Sequence, residues 1–148
     1  MDQAVNLPIK TAAAPSAASL IERATPYVLS ILRIMVGLLF LEHGMSRLFG
    51  FPSPMPTPPL LTLYWFAGAI EFAGGVLVTL GLFTRPAAFI MSGEMAFAYF
   101  MSHAPRGFFP ILNNGDGAVL YCFIFLYLAF AGSGPLSLDA LLRRNKSG

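Results

Sequence analysis

The sequence predicts an all-α integral membrane protein that folds as a four-transmembrane-helix bundle. Of its 148 residues 56% are hydrophobic and only 11% are charged, whereas a soluble domain carries about 25% charged residues. The mean hydropathy of +0.69 points the same way. The apolar residues also fall into four separate runs, each bounded by proline, glycine or polar residues. Together these observations indicate four helices that cross a bilayer.

The first predicted span follows a polar N-terminal segment. Residues 1–25 mix Ala, Ser, Pro and a few charges without a long apolar run, which predicts a disordered cytoplasmic tail. Pro26 suits the first turn of a helix. Residues 27–48 then supply ~33 Å of helix, enough to cross a membrane. Three polar side chains interrupt this span: Arg33, Glu42 and His43.

The second span, residues 61–82, carries one acid on a narrow face of mostly small residues. A proline-rich stretch at residues 50–60 separates it from the first span and cannot continue a helix. The residues that recur around Glu71 at helical spacing are Ala67, Gly68, Gly74, Gly75 and Val78. Small faces let helix backbones approach closely. We therefore expect Glu71 to point into the bundle.

The third and fourth predicted spans are shorter than the first two. Residues 87–101 form the third, with Glu94 near its middle. This span reaches ~25 Å only if residues 102–103 continue the helix. Residues 117–131 form the fourth, and Asp116 is placed to cap it.

Basic residues predict the orientation of the chain in the membrane. With both termini in the cytoplasm, the inner segments hold six Lys or Arg and the outer segments hold two, as the positive-inside rule requires. The inner residues are Lys10, Arg23, Arg85, Arg143, Arg144 and Lys146, and the outer ones are Arg47 and Arg106. We expect the amphipathic segment 137–142 and the basic tail 143–148 on an anionic membrane surface.

Arg33, Glu71 and Glu94 are the residues that are hardest to place, because a charge at the bilayer centre costs roughly 2.5–3.5 kcal/mol. Glu71 and Glu94 fall near the midplane, and Arg33 falls ~8 Å from the inner face. A guanidinium has the fork geometry that matches a carboxylate. We therefore expect Arg33 to pair with Glu94 or Glu71.

These charges have three interpretations. They could pair and fix the helix register without further function. They could form a ligand site or a proton path that leads from Arg33 and the midplane acids to groups at the outer mouth, namely His43, His103, Arg106 and Asp116. Histidine titrates near neutral pH, which suits proton exchange coupled to quinone chemistry. The third interpretation is a metal site, because two His and three Glu lie near one another. Neither Glu-x-x-His nor His-x-x-His occurs, so no metal ligands are assigned.

Aromatic residues collect at the outer end of the predicted bundle. Trp65 and Tyr99 belong to this group and could flank a flat apolar ring such as a quinone head, although an aromatic belt at the membrane interface explains most of them. Cys122 is the one cysteine, which excludes an internal disulfide or dithiol redox centre. The net charge of +2 gives no reason to expect a nucleic-acid partner.

Several motifs follow one another in a fixed order. They are Arg33-x3-Gly37-x2-Phe40-x2-His43-Gly44, Glu71-x2-Gly74-Gly75, Thr84-Arg85-x-Ala87-Ala88, Glu94-x3-Ala98-Tyr99-x3-His103, Pro110-x2-Asn113-x-Gly115-Asp116 and Gly134-x2-Ser137-Leu138-Asp139. In order and spacing they resemble the DoxX family of small four-span bacterial membrane proteins. The resemblance covers residues 32–142, and residues 26–142 are predicted to form one membrane domain. The chain departs from the family pattern at Asp116, where glutamate is usual.

The resemblance implies a place in the bacterial inner membrane and a link to oxidoreductases, among them a thiosulfate:quinone type. The first hypothesis is a quinone-linked oxidoreductase subunit. Its catalytic candidates are Glu71, Glu94, His43 and His103, and its ligand-binding candidates are Arg33, Trp65, Tyr99, Arg106 and Asp116. No cofactor fingerprint is present, so a quinone or a partner redox subunit would hold the electrons.

Two other hypotheses stand beside the enzyme. One is a non-catalytic membrane chaperone or assembly protein that docks other transmembrane segments on its small-residue face. The missing cofactor ligands favour this reading, and the buried acids favour the enzyme. A small proton-coupled transporter is the third and has the least support.

Overall fold

The structure, a computed structural model, describes residues 16–54 and 56–146. All regular secondary structure in those residues is helical. The helices are α1 (Ala17–Phe49), α2 (Leu63–Leu80), α3 (Thr84–Ala98), α4 (Pro110–Asn113), α5 (Asp116–Ala131) and α6 (Leu138–Asn145). After α3 the chain continues through a π-helical turn, Tyr99–His103, and a 3₁₀ turn, Ala104–Arg106. The helical structure of the third predicted span therefore continues to His103. This is the extension that the sequence analysis needs for a length of ~25 Å.

The start of α1 differs from the prediction. Residues 17–25 form its first turns instead of belonging to a disordered tail, because the Ser16 side chain caps the helix by accepting a hydrogen bond from the Ser19 N–H at 3.3 Å. Pro26 therefore lies inside the helix. Residues 1–15, the rest of the predicted tail, lie outside the described residues. At its other end α1 stops at Gly50 in the left-handed conformation with φ 67°, close to the predicted end.

Two of the described helices are long and apolar enough to cross a membrane, α1 and α2. α5 is apolar but has 16 residues, and α3 has 15 before its π-helical extension. The all-helical prediction is therefore confirmed for the described residues, and two membrane helices are supported by length and composition.

The four longer helices share one hydrophobic core. α1 packs along α2, α3 packs along α5, and α2 also contacts α3. The core residues are Val36, Phe40, Val78, Ala87, Ala88, Met91, Met95, Phe125 and Leu128. α1 and α2 approach closely because glycines face backbone: a Cβ added to Gly75 would lie 2.8 Å from the backbone of Leu41.

The predicted small-residue face of α2 is confirmed. Gly68, Glu71, Gly74, Gly75 and Val78 are the buried residues of this helix. The neighbours of the two central glycines belong to this same chain, since Gly75 faces α1 and Gly74 faces the Met91 side chain of α3. The face therefore forms internal helix contacts.

Candidate functional site

α1 carries two arginines on its inward face, Arg33 at the middle of the helix and Arg47 near its C-terminal end, and each organises a polar cluster. The Arg33 cluster consists of Arg33 and the carbonyl groups of Val78, Thr79, Ser133 and Leu136. The Arg47 cluster consists of Arg47, Glu71 and Glu94. The two clusters differ in the kind of group that satisfies the guanidinium.

Arg33 is fully buried and all its partners are backbone carbonyls. Nε donates to the Ser133 oxygen at 2.9 Å and Nη2 to the Leu136 oxygen at 2.5 Å. Nη1 donates to the Thr79 oxygen at 2.7 Å and also to the Val78 oxygen. The side chain therefore joins the C-terminal end of α2 to the segment between α5 and α6.

The predicted pairing of Arg33 with Glu71 or Glu94 is wrong. The last carbonyls of a helix lack partners within the helix, and a cation is favourable at that end of the helix dipole. The end of α2 and the loop after α5 supply these acceptors directly around Arg33. The acid expected for Arg33 is instead bound by Arg47.

Asp139 lies at the same end of the molecule as the Arg33 cluster, and we call this the Arg33 end. Its two carboxylate oxygens accept hydrogen bonds from the backbone N–H groups of Phe83 and Thr84 at 2.9 and 3.0 Å, and so cap α3 from a distant part of the chain. Burial raises the pKa of Asp139, but the hydrogen bonds from Thr84 and Phe83 outweigh it and hold the pKa below its ordinary value of 3.8. Asp139 therefore stays ionised at neutral pH.

Arg47 and Glu71 form a two-pronged ion pair between α1 and α2. Arg47 Nε donates to Oε2 of Glu71 at 3.0 Å, and Nη2 donates to Oε1 at 3.0 Å. The Glu71 side chain is 3% exposed and that of Arg47 is 24% exposed. Bidentate geometry of this kind is strong and directional. The ion pair therefore links α1 to α2 and neutralises the buried Glu71 carboxylate.

Glu94 on α3 lies beside this pair and has no hydrogen-bond partner. Both of its carboxyl oxygens are buried, and neither is satisfied by any residue of the described chain. Glu94 and Arg47 line a cavity of about 300 Å³ between α2 and α3. Apolar side chains form most of the other wall: Phe66, Ile70, Ile90, Phe97 and Met101. We call this the α2–α3 cavity.

A second cavity of about 230 Å³ lies on the other side of the ion pair. We call it the histidine cavity. Its polar lining consists of His43, Arg47, Glu71, His103, Asn114 and Tyr121. Arg47 lines both cavities and Glu71 lines this one, so the two cavities adjoin at the ion pair.

The two histidines share one hydrogen-bonding arrangement. His43 Nδ1 lies 2.8 Å from the Leu39 carbonyl, and His103 Nδ1 lies 3.1 Å from the Asn113 carbonyl. A carbonyl oxygen only accepts, so the hydrogen in each bond is on Nδ1. In the neutral ring this leaves the Nε2 lone pair able to take up a proton.

The other predicted site residues are spread around this centre. Tyr99 donates from its hydroxyl to the Phe108 carbonyl at 2.9 Å and stacks on His103. Trp65 contacts Phe66 and lines neither cavity. Arg106 is exposed in the 3₁₀ turn. The structure therefore brings Glu71, Glu94, His43 and His103 around the two cavities, and leaves Arg33, Trp65 and Arg106 outside them.

Asp116 also lies away from both cavities. It is the first residue of α5 and is exposed, and Gly115 occupies the N-cap position without a side-chain hydrogen bond. The predicted helix start is correct, whereas the predicted side-chain cap is not formed.

Arg47 is the site residue that sequence reasoning missed. From the sequence alone, Arg47 is placed only among the basic residues of the outer side and is assigned no role in the site. The signal lay in its spacing: Arg33, Gly37, Phe40, Gly44 and Arg47 fall on one line of an α-helix. Four of these five are buried and Arg47 is mostly so, which makes this line the buried face of α1.

The arrangement brings together groups that can donate or accept a proton. A carboxyl group, an arginine–carboxylate pair and two imidazoles lie around two adjoining cavities. Cys122 lies apart, with its carbonyl accepting a hydrogen bond from the Ser92 hydroxyl at 2.9 Å. The site can therefore bind a polar head in an apolar cavity and move protons near it.

Comparisons with known proteins agree with this picture. The family described as DoxX matches residues 28–104. An uncharacterized protein of Haemophilus influenzae is 46% identical over 128 residues, which cover 80% of this chain and 93% of the relative. No solved structure gives a significant match.

Two more distant relatives carry informative names. A Bacillus subtilis protein named "Putative oxidoreductase CatD" is 28% identical over 122 residues, covering 78% of this chain and 87% of the relative. The Escherichia coli "Inner membrane protein YphA" is 29% identical over 129 residues, covering 78% of this chain and 91% of the relative. The chain is thus similar along most of its length to proteins of the bacterial inner membrane.

Proposed function

Because the chain belongs to the DoxX family of membrane proteins, we propose that it is the membrane subunit of an oxidoreductase that acts on a quinone. The observation that carries this proposal is Glu94, a buried carboxyl group without a partner on the wall of an apolar cavity. An unsatisfied buried carboxyl is costly to keep. A bound molecule with a polar head would satisfy it.

The volume and the mostly apolar lining of the α2–α3 cavity suit a quinone head. Its apolar side chains would contact the ring, and Arg47 would donate a hydrogen bond to a carbonyl oxygen. When bound, a quinone accepts two electrons and two protons. Glu94 is placed to give or take a proton at the cavity wall.

The histidine cavity would connect this proton exchange to water. His43 and His103 each have an Nε2 lone pair that can accept a proton, and Arg47 lines both their cavity and the α2–α3 cavity. The electrons must come from a partner redox protein, since the one cysteine of the chain cannot form a dithiol centre.

The proposed arrangement in the membrane has four spans and both termini in the cytoplasm. Six basic residues would then lie inside and two outside, which supports this orientation. α3 with its π-helical extension and α5 would be the two shorter spans. The Arg47 cluster would open toward the outer face and the Arg33 end toward the cytoplasm.

Replacing Glu94 by Gln tests the proposal. Gln keeps the size of the side chain but cannot ionise, so Glu94→Gln should leave the amount of protein in membranes unchanged and lower quinone-dependent electron transfer roughly a hundredfold or more. Glu22→Gln is the matched control, because Glu22 is an exposed acid near the start of α1. Electron transfer would be measured in membranes that retain the partner proteins.

Full activity in Glu94→Gln would contradict the redox proposal and favour the assembly-protein hypothesis. A second measurement, mass spectrometry of quinone that co-purifies with the full chain, separates binding from chemistry. Quinone that remains bound while electron transfer is lost would assign Glu94 to proton exchange rather than to binding.

A further inference from the structure

A third cavity lies at the end of the molecule away from the Arg47 cluster, between the start of α3 and α6. Its volume is about 320 Å³. The residues that define its character are Phe83, Arg85, Asp139, Leu142, Arg143 and Lys146. None of them belongs to the Arg47 cluster or to either of its cavities. We call it the basic cavity, and it is separate from the proposed quinone site.

The charge of the basic cavity is positive. Three cationic side chains and one carboxylate line it, which leaves a net charge of +2 (three minus one). The carboxylate, Asp139, already accepts two hydrogen bonds from the backbone at the start of α3. Arg85 lies against the end of α5, where it donates to the Ala129 carbonyl at 3.3 Å, and its side chain is exposed. The cavity is thus suited to an anion.

The apolar part of the lining indicates that the anion also carries an apolar group. Phe83 and Leu142 line the cavity, and Phe83 is 64% exposed. Leu138, Leu141 and Leu142 give α6 an exposed apolar side, while Arg143 and Arg144 follow in its last turn. A short helix with this distribution lies in the interface of a membrane. We propose that the basic cavity binds the phosphate headgroup of an anionic phospholipid, whose acyl chains lie along Phe83 and the leucines of α6.

The site is held in shape without a ligand. The Asp139 N–H donates to the Gly81 carbonyl at 2.9 Å, and the Ser137 side chain caps α6 by accepting from the Ala140 N–H at 3.1 Å. Gly81 has a φ of +67°, and a Cβ there would collide with Ser137, so the turn before α3 fits closely against the start of α6. A lipid headgroup therefore binds with little ordering of the protein.

Native mass spectrometry of the full-length protein in detergent tests the proposal. Phosphatidylglycerol and phosphatidylcholine would be titrated separately, and inorganic phosphate would be added as a competitor. We expect one tightly retained phosphatidylglycerol, and a loss of affinity of about fivefold for each charge removed in Arg85→Gln and Lys146→Gln. Retention of phosphatidylcholine to the same extent would overturn the proposal.

Two control variants separate a defined site from diffuse attraction. Arg144→Gln removes a charge from the same helix but from a residue that does not line the cavity, and Arg106→Gln removes one from the other end of the molecule. Both should keep the affinity for phosphatidylglycerol. An equal loss in Arg144→Gln, or displacement of the lipid by millimolar phosphate, would contradict a lipid site. Melting temperatures in phosphatidylcholine alone would show that Arg85→Gln still folds.

Discussion

Arg33 and Arg47 lie on the same face of α1 but have opposite surroundings. Arg33 is completely buried and is surrounded by four backbone carbonyls. Arg47 is partly exposed, binds one carboxylate in a two-pronged pair, and lines two cavities. Two residues of the same type, on the same helix face, therefore contribute to the molecule in different ways.

The difference shows how a buried charge can be used for folding or for chemistry. Backbone carbonyls do not titrate, so the Arg33 cluster stays constant across the physiological pH range and fixes the loop after α5 against α2. A carboxylate titrates and can change partners, and Glu71 and Glu94 lie where cavities give access to them. The Arg47 end is therefore the end at which the proposed function would act.

The largest expected effect is that of Arg33→Ala. The carbonyls of Thr79, Ser133 and Leu136 would lose the donor that satisfies them, and each unsatisfied group costs about 1–3 kcal/mol. The Val78 carbonyl would keep the Gly81 N–H as a donor. We expect the free energy of unfolding in detergent to fall by about 4 kcal/mol or more. The amount of protein in membranes should fall strongly as well. Denaturant titration of the purified variant, with quantitative blotting of membranes, measures both.

A second substitution distinguishes this account from an acid pair. If Arg33 neutralised Glu71, then Glu71→Gln would restore stability to Arg33→Ala. The structure predicts no rescue, because Arg33 has only carbonyl partners. Recovery of half or more of the lost stability in the double variant would contradict this assignment.

Arg47→Ala should have the next largest effect, and here a rescue is expected. The substitution leaves the Glu71 carboxylate buried without its cation, at a cost of about 3 kcal/mol. Glu71→Gln in the same chain removes the unpaired charge and should return much of that stability. A double-mutant cycle on the free energy of unfolding gives the coupling, and additive losses would show that the pair contributes nothing.

The helices and the buried face of α2 could be predicted from the sequence because they depend on spacing alone. The repeat of small residues around Glu71 predicted which side of α2 is buried, and the structure confirms it. The beginning of α1 could not be predicted from hydropathy, since residues 17–25 are polar enough to resemble a tail. Their helix depends on the cap at Ser16 and on continuity with the apolar span.

The partners of the two arginines were beyond sequence reasoning for a physical reason. The acceptors of Arg33 are backbone groups, which every residue has, and the loop that supplies two of them is distant in sequence. Backbone acceptors therefore leave no signal in the pattern of acidic residues. Similarly, the glycines of α2 indicated a close helix contact but not its partner. The structure gives that contact to α1 and α3, so Gly→Leu changes there would disrupt the fold rather than test docking of another protein.

The smallest expected effect is at Asp139, which adds a titratable group to the otherwise constant Arg33 end. Its pKa is lowered in the folded protein, so its stabilisation is fully present above the ordinary value of 3.8 and is lost as the pH falls through the lowered pKa. Asp139→Asn keeps one acceptor for the start of α3 and loses the other. At pH 7 it should lower the free energy of unfolding by about 1 kcal/mol.

The pH dependence identifies the carboxylate as the cause. As the pH falls from about 4 to about 2, the melting temperature of the wild-type protein should fall more steeply than that of Asp139→Asn, because the variant has already lost the group that titrates. Asp116→Asn is the matched control, since Asp116 also begins a helix but is exposed and its side chain does not cap that helix. It should follow the wild-type curve. If Asp139→Asn followed that curve as well, the cap at α3 would contribute nothing to acid stability.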